Sequence, residues 1–203
     1  MSIPALLNVN QLAARKGAHE LEFSVKKVHS LDASKGGPEG YLKAIKRRVE
    51  EMVIEEIRRF YPEDNFFGTE TGSEVNNSNI TWLLKAIDGE TNFINGYPHF
   101  SISLCSMIDS VPTTAVIIDP IRREEFSASK GSGSDLNNGK IRVSKQSGLD
   151  DSILTYSTSK EVSKDYVYDF DQTYKELANQ NLAIRNSGSI ALDLAYIATG
   201  RID

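Results

Sequence analysis

The sequence predicts an α+β fold, because the spacing of its apolar residues changes along the chain. In the first 60 residues, apolar residues recur three and four positions apart, which is typical of amphipathic helices. From about residue 65, short apolar runs are separated by turn residues, which is typical of strands in an antiparallel meander. After about residue 150, strand-like and helical runs alternate. We therefore expect a helix pair, an antiparallel sheet and the start of a further α/β unit.

Two long helices are predicted before the sheet. Residues 4–16 have mostly helical spacing that continues to about Val28, so we expect one long helix or a kinked pair, with Gly17 as its weak point. Residues 34–40 are rich in glycine and include a proline, which predicts a loop. The pattern then predicts an amphipathic helix over residues 42–60.

The sheet and the segment after it are predicted from apolar runs bounded by turn residues. The expected strands span residues 65–72 (ending in a polar turn), 82–88, 100–108, 113–118 and 124–128, with an exposed loop at 73–80 and a hairpin at 130–139. A soft boundary near 145–150 divides the chain into residues 1–148 and 149–203. In the second part we expect strands over 152–158 and 182–186 and helices over 165–180 and 188–198, the last ending at Gly200.

Composition narrows the class of protein. The 203 residues are 39% hydrophobic and 25% charged, which is typical of a globular chain with a sizeable core. A net charge of −5 argues against direct nucleic-acid binding, and the basic runs 46–48 and 122–123 are expected on solvated faces. The one cysteine, Cys105, excludes an intramolecular disulfide and is expected in the core. No apolar run has the length of a signal or membrane segment, so we expect a cytoplasmic protein without membrane contact.

The stretch from Trp82 to Phe93 carries the most chemistry. Its apolar run ends in Asp88-Gly89, so we expect a buried strand that carries a carboxylate at its end, followed by a glycine turn whose N–H groups can face an anion. By pattern alone, such a strand end is more often a turn than a metal site, and Glu70 is a surface carboxylate. His99 is expected to be a strand-end residue and not a catalyst.

Four segments in collinear order resemble signatures of the inositol monophosphatase family of Mg²⁺-dependent phosphatases. Residues 82–93 resemble Trp-x-x-Asp-Pro-x-Asp-Gly-Thr-x-Asn-Phe, and 68–70 resemble a Gly-Glu-Glu turn. Residues 118–126 resemble Tyr-Asp-Pro-x-Arg-x-Glu-x-Phe, and 188–193 resemble Gly-Ser-Ala-Ala-Leu-Asp. The likeness runs from about residue 5 to the end of the sequence and is greatest to the SuhB-type branch.

This resemblance implies a layered αβαβα sugar-phosphatase fold whose second α/β half is incomplete in this sequence. It also implies a reaction in which two or three Mg²⁺ ions clamp a phosphate and lower the pKa of an attacking water. The substrate would be an inositol phosphate or another small phosphorylated sugar. By position, the metal ligands are Glu70, Ile87 (through its carbonyl) and Asp88, and the catalytic residues are Glu70, Asp88 and Glu90. The substrate- or phosphate-binding residues are Gly89, Glu90, Thr91, Gly188 and Ser189.

The sequence departs from the family pattern at the metal ligands. Lys85 stands in place of an aspartate that bridges two metals, and Lys46 in place of another, in the helix motif Val-Thr-x-x-Asp-x-x-x-Glu. Glu90 replaces the threonine that orients the water. The sequence ends at Asp203, before the Trp-Asp-x-Ala-Ala-Gly segment that would bring a further aspartate.

An ammonium group cannot ligate Mg²⁺ while charged, and charges of +1 and +2 about 4 Å apart repel by roughly 8 kcal/mol at an effective dielectric of ~20. We therefore predict a salt-bridge cluster in which Lys46 and Lys85 neutralise Glu70, Asp88 and Glu90. Weak or absent Mg²⁺-dependent phosphomonoesterase activity is then expected.

Two alternatives stay open. One is an active inositol-phosphate phosphatase. The other is a non-catalytic binding or regulatory protein, because the resemblance to the SuhB-type branch implies a role in transcription antitermination complexes. The shortened second half predicts an uncovered apolar face on residues 182–186 and 188–198, which a homodimer or a partner protein would cover.

Overall fold

The computed structural model describes residues 2–28, 37–157, 170–180 and 182–203. Its helices are α1 (Ile3–Val25), α2 (Gly37–Arg58), α3 (Glu90–Ile94), α4 (Phe170–Asn179) and α5 (Ile190–Ala198). Its strands are β1 (Asn65–Gly68), β2 (Gly72–Glu74), β3 (Ile80–Asp88), β4 (Ser101–Ile108), β5 (Val111–Asp119), β6 (Glu124–Ser129), β7 (Gly133–Leu136), β8 (Gly139–Lys140), β9 (Ile153–Thr155) and β10 (Ala183–Arg185). The expected α+β class is confirmed.

Helix α1 is one continuous helix, and Gly17 is a packing contact instead of a break. Its buried face includes Leu6, Ala13 and Leu21. A Cβ atom built at Gly17 would lie 2.5 Å from Cδ1 of Ile102 on β4, so no larger residue fits without a shift of the sheet or the helix. The absence of a side chain therefore lets α1 approach the sheet closely.

The large sheet has the strand order β2-β1-β3-β4-β5-β6-β7-β8. The predicted antiparallel meander is confirmed from β3 onward, because each of these strands pairs antiparallel with the next. The prediction of a wholly antiparallel sheet is wrong at β1, which pairs parallel with β3 and places Gly68 beside Leu84. Parallel strands have their carboxyl ends at the same edge, so the turn after β1 lies next to the end of β3.

Several predicted boundaries are corrected. Helix α2 begins at Gly37, inside the predicted loop; its Pro38 lies in the first turn, where a missing N–H is tolerated. The first residues of the predicted loop 73–80 belong to strand β2, whose three residues are exposed. The residues after Gly89 form the short helix α3 instead of a turn. Residues 29–36 and 158–169, on which parts of the predicted loop, strand and helix fall, lie outside the described residues.

The main core lies between the helix pair and one face of the large sheet. Trp82 is fully buried there, as expected, and its indole Nε1 donates to Oδ2 of Asp64 at 2.9 Å. Cys105 is not in this core, contrary to the prediction. It is half-buried on the opposite face of the sheet, beside Leu83. Side chains alternate between the two faces of a strand, so an apolar run alone does not identify the covered face.

Helix α5 packs against β4 and β5, and its Leu192 and Ala195 form a small second core with Phe126 of β6. Its Ile190 and Leu194 are exposed, in agreement with the predicted uncovered apolar face on residues 188–198. Strands β9 and β10 form a separate parallel pair. None of the helices in the described part of the chain is both long and apolar enough to span a membrane.

Candidate functional site

The candidate site lies where β1 and β3 end side by side. Glu70 follows β1 and Asp88 is the last residue of β3. The pairing of β3 with β4 shifts register between Lys85 and Asp88. In a regular strand, residues three apart face opposite sides, and this irregularity lets the two side chains meet. Nζ of Lys85 lies 2.9 Å from Oδ1 of Asp88.

The other oxygen of Asp88 binds the start of helix α5. Its Oδ2 accepts hydrogen bonds from Oγ of Ser189 at 2.6 Å and from the backbone N–H of Ala191 at 2.9 Å. A carboxylate at a helix N-terminus is favoured by the unpaired N–H groups and by the helix dipole. Asp88 is 5% exposed, so both of its oxygens are satisfied within the protein.

Lys46 of α2 joins the two remaining predicted carboxylates. Its Nζ lies 2.6 Å from Oε1 of Glu70 and 2.7 Å from Oε1 of Glu90. Burial alone would lower the pKa of Lys46, but the hydrogen bonds and charges of the two glutamates outweigh burial and raise it. Lys46 is therefore a charged ammonium at neutral pH. The prediction that the run 46–48 is a solvated face is wrong for Lys46, whose side chain is 13% exposed, although Arg47 and Arg48 are exposed.

The predicted salt-bridge cluster is confirmed, and the structure assigns its pairs: Lys46 with Glu70 and Glu90, and Lys85 with Asp88. We call these five residues the lysine–carboxylate cluster. Two of its carboxylates, Asp88 and Glu90, lie at the two ends of the short segment Asp88-Gly89-Glu90, and each pairs with a different lysine.

Glu50 positions the turn that carries Glu70, and the sequence reasoning missed this role. Its fully buried carboxylate accepts hydrogen bonds from the backbone N–H groups of Thr69, Glu70 and Thr71 and from both threonine hydroxyls, at 2.7–3.2 Å. The signal was available, because Glu50 lies one helical turn after Lys46 on α2 and matches the last residue of the helix motif.

Gly89 is required at the junction of β3 and α3. Its φ is +89°, a region that side chains with a Cβ rarely adopt, and an added Cβ would lie 3.0 Å from the carbonyl oxygen of His99. The following Glu90 is thereby turned toward Lys46. Thr91, also on α3, is exposed, and its carbonyl accepts a hydrogen bond from Asn95.

Asn92 of α3 links the segment before β4 to the segment before α5, a second role that the sequence reasoning missed. Its Nδ2 donates to the carbonyl of His99 at 2.7 Å and to that of Ser187 at 2.8 Å. It also packs against Gly188, which precedes the Asp88-bound Ser189. The predicted residues Gly188 and Ser189 are therefore held beside Asp88, although they lie about 100 positions further along the chain.

The described residues include no group of three or more histidine, cysteine, aspartate or glutamate side chains placed to hold a metal ion. Ile87, predicted to ligate through its carbonyl, is fully buried in β3 next to Asp88. The metal, catalytic and substrate roles assigned by position stay predictions.

Comparison with known proteins gives concordant results in sequence and structure. The model of the inositol monophosphatase family matches residues 5–203. The protein named Nus factor SuhB from Escherichia coli K12 is 33% identical over 199 residues, covering 98% of this chain and 74% of the relative. The Nus factor SuhB of Xylella fastidiosa is 35% identical over 204 residues, covering 100% of this chain and 73% of the relative.

Two solved structures have the same fold. The extragenic suppressor protein suhB from Bartonella henselae superposes with a TM-score of 0.83 at 30% identity, over 98% of this chain and 76% of that one. Inositol monophosphatase from Anabaena sp. PCC 7120 superposes with a TM-score of 0.79 at 30% identity, over 100% and 74%. With the family model matched almost throughout, this chain belongs to the inositol monophosphatase family.

Proposed function

We propose that this chain is an inositol monophosphatase family member with weak or no Mg²⁺-dependent phosphomonoesterase activity, in which two lysine ammonium groups take the place of metal ions. The observation that carries the proposal is the lysine–carboxylate cluster. Lys46 binds Glu70 and Glu90, and Lys85 binds Asp88, each at 2.6–2.9 Å.

The donor atoms of the cluster do not fit a Mg²⁺ ion. Mg²⁺ requires near-octahedral oxygen ligation at about 2.0–2.1 Å, and each oxygen of Asp88 already has a partner. An ion entering between Glu70 and Glu90 would have to displace Lys46 or lie against its positive charge. A lost metal site whose carboxylates had no counter-charge would be destabilised by their mutual repulsion, and the two lysines remove that repulsion.

An assay with an inositol phosphate and an aryl phosphate, with and without Mg²⁺, tests the proposal. We expect no Mg²⁺-dependent turnover above background. Asp88→Asn is the diagnostic variant, and Asp135→Asn on β7 is its control, because Asp135 pairs with Lys140 outside the cluster. Mg²⁺-dependent turnover that disappears in Asp88→Asn and persists in Asp135→Asn would establish an active phosphatase and overturn the proposal.

Thermal unfolding supplies a test that does not depend on knowing the substrate. A metal that binds only the folded protein raises its melting temperature. We expect Mg²⁺ to leave the melting temperature of the wild-type chain unchanged. A Mg²⁺-dependent rise that Glu70→Ala abolishes would contradict the replacement of the metals by lysines.

A second candidate function is a binding or regulatory role in transcription. Relatives that match nearly the whole chain are named Nus factors, and loss of a metal site leaves a surface-based role intact. The exposed Ile190 and Leu194 on α5 supply apolar surface for a protein partner or a second copy of the chain.

Light scattering after size exclusion tests the self-association version of this role. A dimer that Leu194→Glu converts to a monomer, while Leu12→Glu on the exposed face of α1 does not, would support a contact through α5. A monomeric wild-type chain would exclude self-association and leave a heterologous partner as the binding hypothesis.

A further inference from the structure

The hairpin turn between β7 and β8 carries one of the two Asn-Gly pairs of the sequence. The pairs are Asn95-Gly96, at the end of α3, and Asn138-Gly139, at the start of β8. In such a pair the backbone nitrogen of the glycine can attack the side-chain amide before it, because glycine has no Cβ to obstruct the approach and a permissive backbone. Asparagine is for this reason a thermolabile residue. The two pairs are alike in sequence, and their surroundings in the structure differ.

The pair Asn95-Gly96 is held at both reacting groups. Nδ2 of Asn95 donates to the carbonyl oxygen of Thr91 at 2.8 Å. The backbone N–H of Gly96 donates to the carbonyl oxygen of Phe93 at 3.0 Å, and Phe93 is fully buried. Attack would require both hydrogen bonds to break while α3 stays anchored. We therefore expect this pair to react slowly in the folded chain.

The pair Asn138-Gly139 is less restrained. Both residues are exposed, and within the described part of the chain the side chain of Asn138 makes no hydrogen bond. Gly139 pairs with Leu136, but β8 consists of Gly139–Lys140 alone and is the last strand at its edge of the sheet. Local opening costs least where few buried contacts hold the backbone, so the nitrogen of Gly139 is released more often than that of Gly96.

The two asparagines of the turn have different roles. Asn137 and Asn138 have φ values of +48° and +67°, in the left-handed region that asparagine tolerates better than most residues with a Cβ. Oδ1 of Asn137 accepts from the backbone N–H of Glu125 at 2.9 Å, and its Nδ2 donates to the carbonyl oxygen of Arg123 at 3.3 Å. Asn137 thus fixes the turn to β6, whereas the amide of Asn138 is free to react.

The reaction has two balanced steps. The backbone nitrogen of Gly139 loses its proton and bonds to Cγ of Asn138, the Cγ–Nδ2 bond breaks, and Nδ2 leaves as ammonia with one added proton. The product is a cyclic imide. Solvent water then cleaves one of the two C–N bonds of the imide. Cleavage at Cγ gives aspartate, and cleavage at the backbone carbonyl gives isoaspartate, in which the main chain runs through Cβ and Cγ.

Isoaspartate lengthens the main chain at the turn. A turn of two residues with positive φ depends on its length and twist, so the longer chain does not keep Asn137 in place against β6. The carboxylate of Glu125 on β6 also accepts hydrogen bonds from Arg15 at 2.6 and 2.8 Å and from Gln11 at 2.9 Å. The turn therefore supports a residue that joins β6 to α1.

We propose that Asn138-Gly139 is a site of spontaneous covalent modification in the folded chain. Ring closure and hydrolysis convert Asn138 to aspartate and isoaspartate, and the isoaspartate releases the turn from β6. Water is the co-reactant. The proposal goes beyond the proposed function and does not depend on whether the lysine–carboxylate cluster binds metal.

Peptide mapping by mass spectrometry tests the proposal on the full chain, incubated at mildly alkaline pH below its melting temperature. Conversion of amide to carboxyl is followed at Asn138 and, as the matched control in the same sample, at Asn95. We expect conversion at Asn138 to be faster by about tenfold or more in the folded chain. In denaturant, where neither pair is held, we expect comparable rates. Labelling with an isoaspartate-specific methyltransferase should identify isoaspartate in the peptide that contains Gly139.

The variant Asn138→Gly removes the reactive amide and supplies a residue that adopts positive φ without strain. After incubation, the denaturant midpoint of the wild type should fall, while that of Asn138→Gly should stay at its starting value.

Three results would overturn the proposal. Asn95 reacts as fast as Asn138, or faster, in the folded chain. Asn138 stays unchanged in the folded chain while both pairs react in denaturant, which would show that the pairing of β7 with β8 protects it. Protein that contains isoaspartate keeps the midpoint of fresh protein, which would show that the turn accommodates the longer main chain.

Discussion

The lysine–carboxylate cluster and the pocket lined by His99 and Asp193 differ in how their buried polar atoms are paired. In the cluster, every carboxylate has an ammonium partner from the same chain. In the pocket, His99 and Asp193 each keep a buried atom without a partner in the described residues. Buried polar atoms are nearly always paired by protein or by ordered water, so the cluster is complete within the chain, whereas the atoms of His99 and Asp193 require a further partner such as a water.

Under the proposed function, the family frame would be retained while its chemistry changes. The cluster holds together the turn after β1, the end of β3 and the start of α5. Its stability should therefore depend on lysines and on the groups that orient the carboxylates.

Glu50→Gln should cause the largest loss of stability, about 2–4 kcal/mol, because the buried carboxylate accepts hydrogen bonds from three backbone N–H groups. The amide would turn a donor toward some of these donors. Chemical denaturation measures the loss. Glu51→Gln, at the adjacent exposed position, should cost about 0–1 kcal/mol. Equal losses in the two variants would show that Glu50 does not support the turn that carries Glu70.

Lys46→Met should cost about 1–3 kcal/mol, because it leaves Glu70 and Glu90 without their common counter-charge in a partly buried place. Lys85→Met should cost about 0–1 kcal/mol, since Lys85 is 49% exposed and Asp88 keeps its hydrogen bonds from Ser189 and Ala191. Denaturant midpoints at neutral pH give both values. If Lys85→Met is as costly as Lys46→Met, the cluster does not depend on the burial of Lys46.

The double variant Lys46→Asp, Lys85→Asp should acquire Mg²⁺-dependent stability. It supplies two carboxylates in place of two cations, and an ion at about ten times its dissociation constant stabilises the folded state by about 1.4 kcal/mol. Unfolding with and without Mg²⁺ measures the gain. Arg47→Asp, Arg48→Asp on the exposed face of α2 makes the same change of charge and should show no gain. If Mg²⁺ stabilises this control by the same amount, the gain comes from general screening of added negative charge and not from binding at the cluster.

His99 should give the smallest effect, a pH dependence of stability. Its pKa is lowered in the folded chain by burial and by Arg122, against the opposing charges of Asp119, Asp193 and Asp88. The unfolded chain then binds more protons, so stability is fully present above the unfolded pKa of about 6.5 and falls as the pH is lowered toward the folded value.

His99→Gln should remove this part of the slope in denaturation measured from neutral to acidic pH. His19→Gln is the control, because it removes another histidine, one that is exposed on α1. A wild-type slope that persists in His99→Gln would show that His99 does not titrate differently in the folded and unfolded chains.

The predictable part of this site was the set of residues that converge on it. Lys46, Lys85, Glu70, Asp88 and Glu90 were identified by their positions in recognisable motifs, and their ion pairs followed from the signs of their charges. The role of Glu50 was not predicted, because a charged residue on an amphipathic helix is usually solvated.

The unpredicted contacts share one physical feature, which is separation along the chain. Asn92 donates to Ser187 across 95 positions, and Ser189 donates to Asp88 across 101. The parallel pairing of β1 with β3 was also not predicted, because the spacing of apolar residues within a strand does not show which other strand it pairs with.

The family, the α+β class, most of the helices and strands, and the presence of Lys46 and Lys85 within the family motifs all follow from the sequence. These depend on periodicity and motif order, which are properties of neighbouring residues. Packing between distant segments turns Lys46 inward, joins Asp88 to the start of α5, and places His99 and Asp193, each with an unpaired atom, in the lining of one pocket. Those facts depend on which segments pack together, and on which polar atoms that packing leaves without a partner among the described residues.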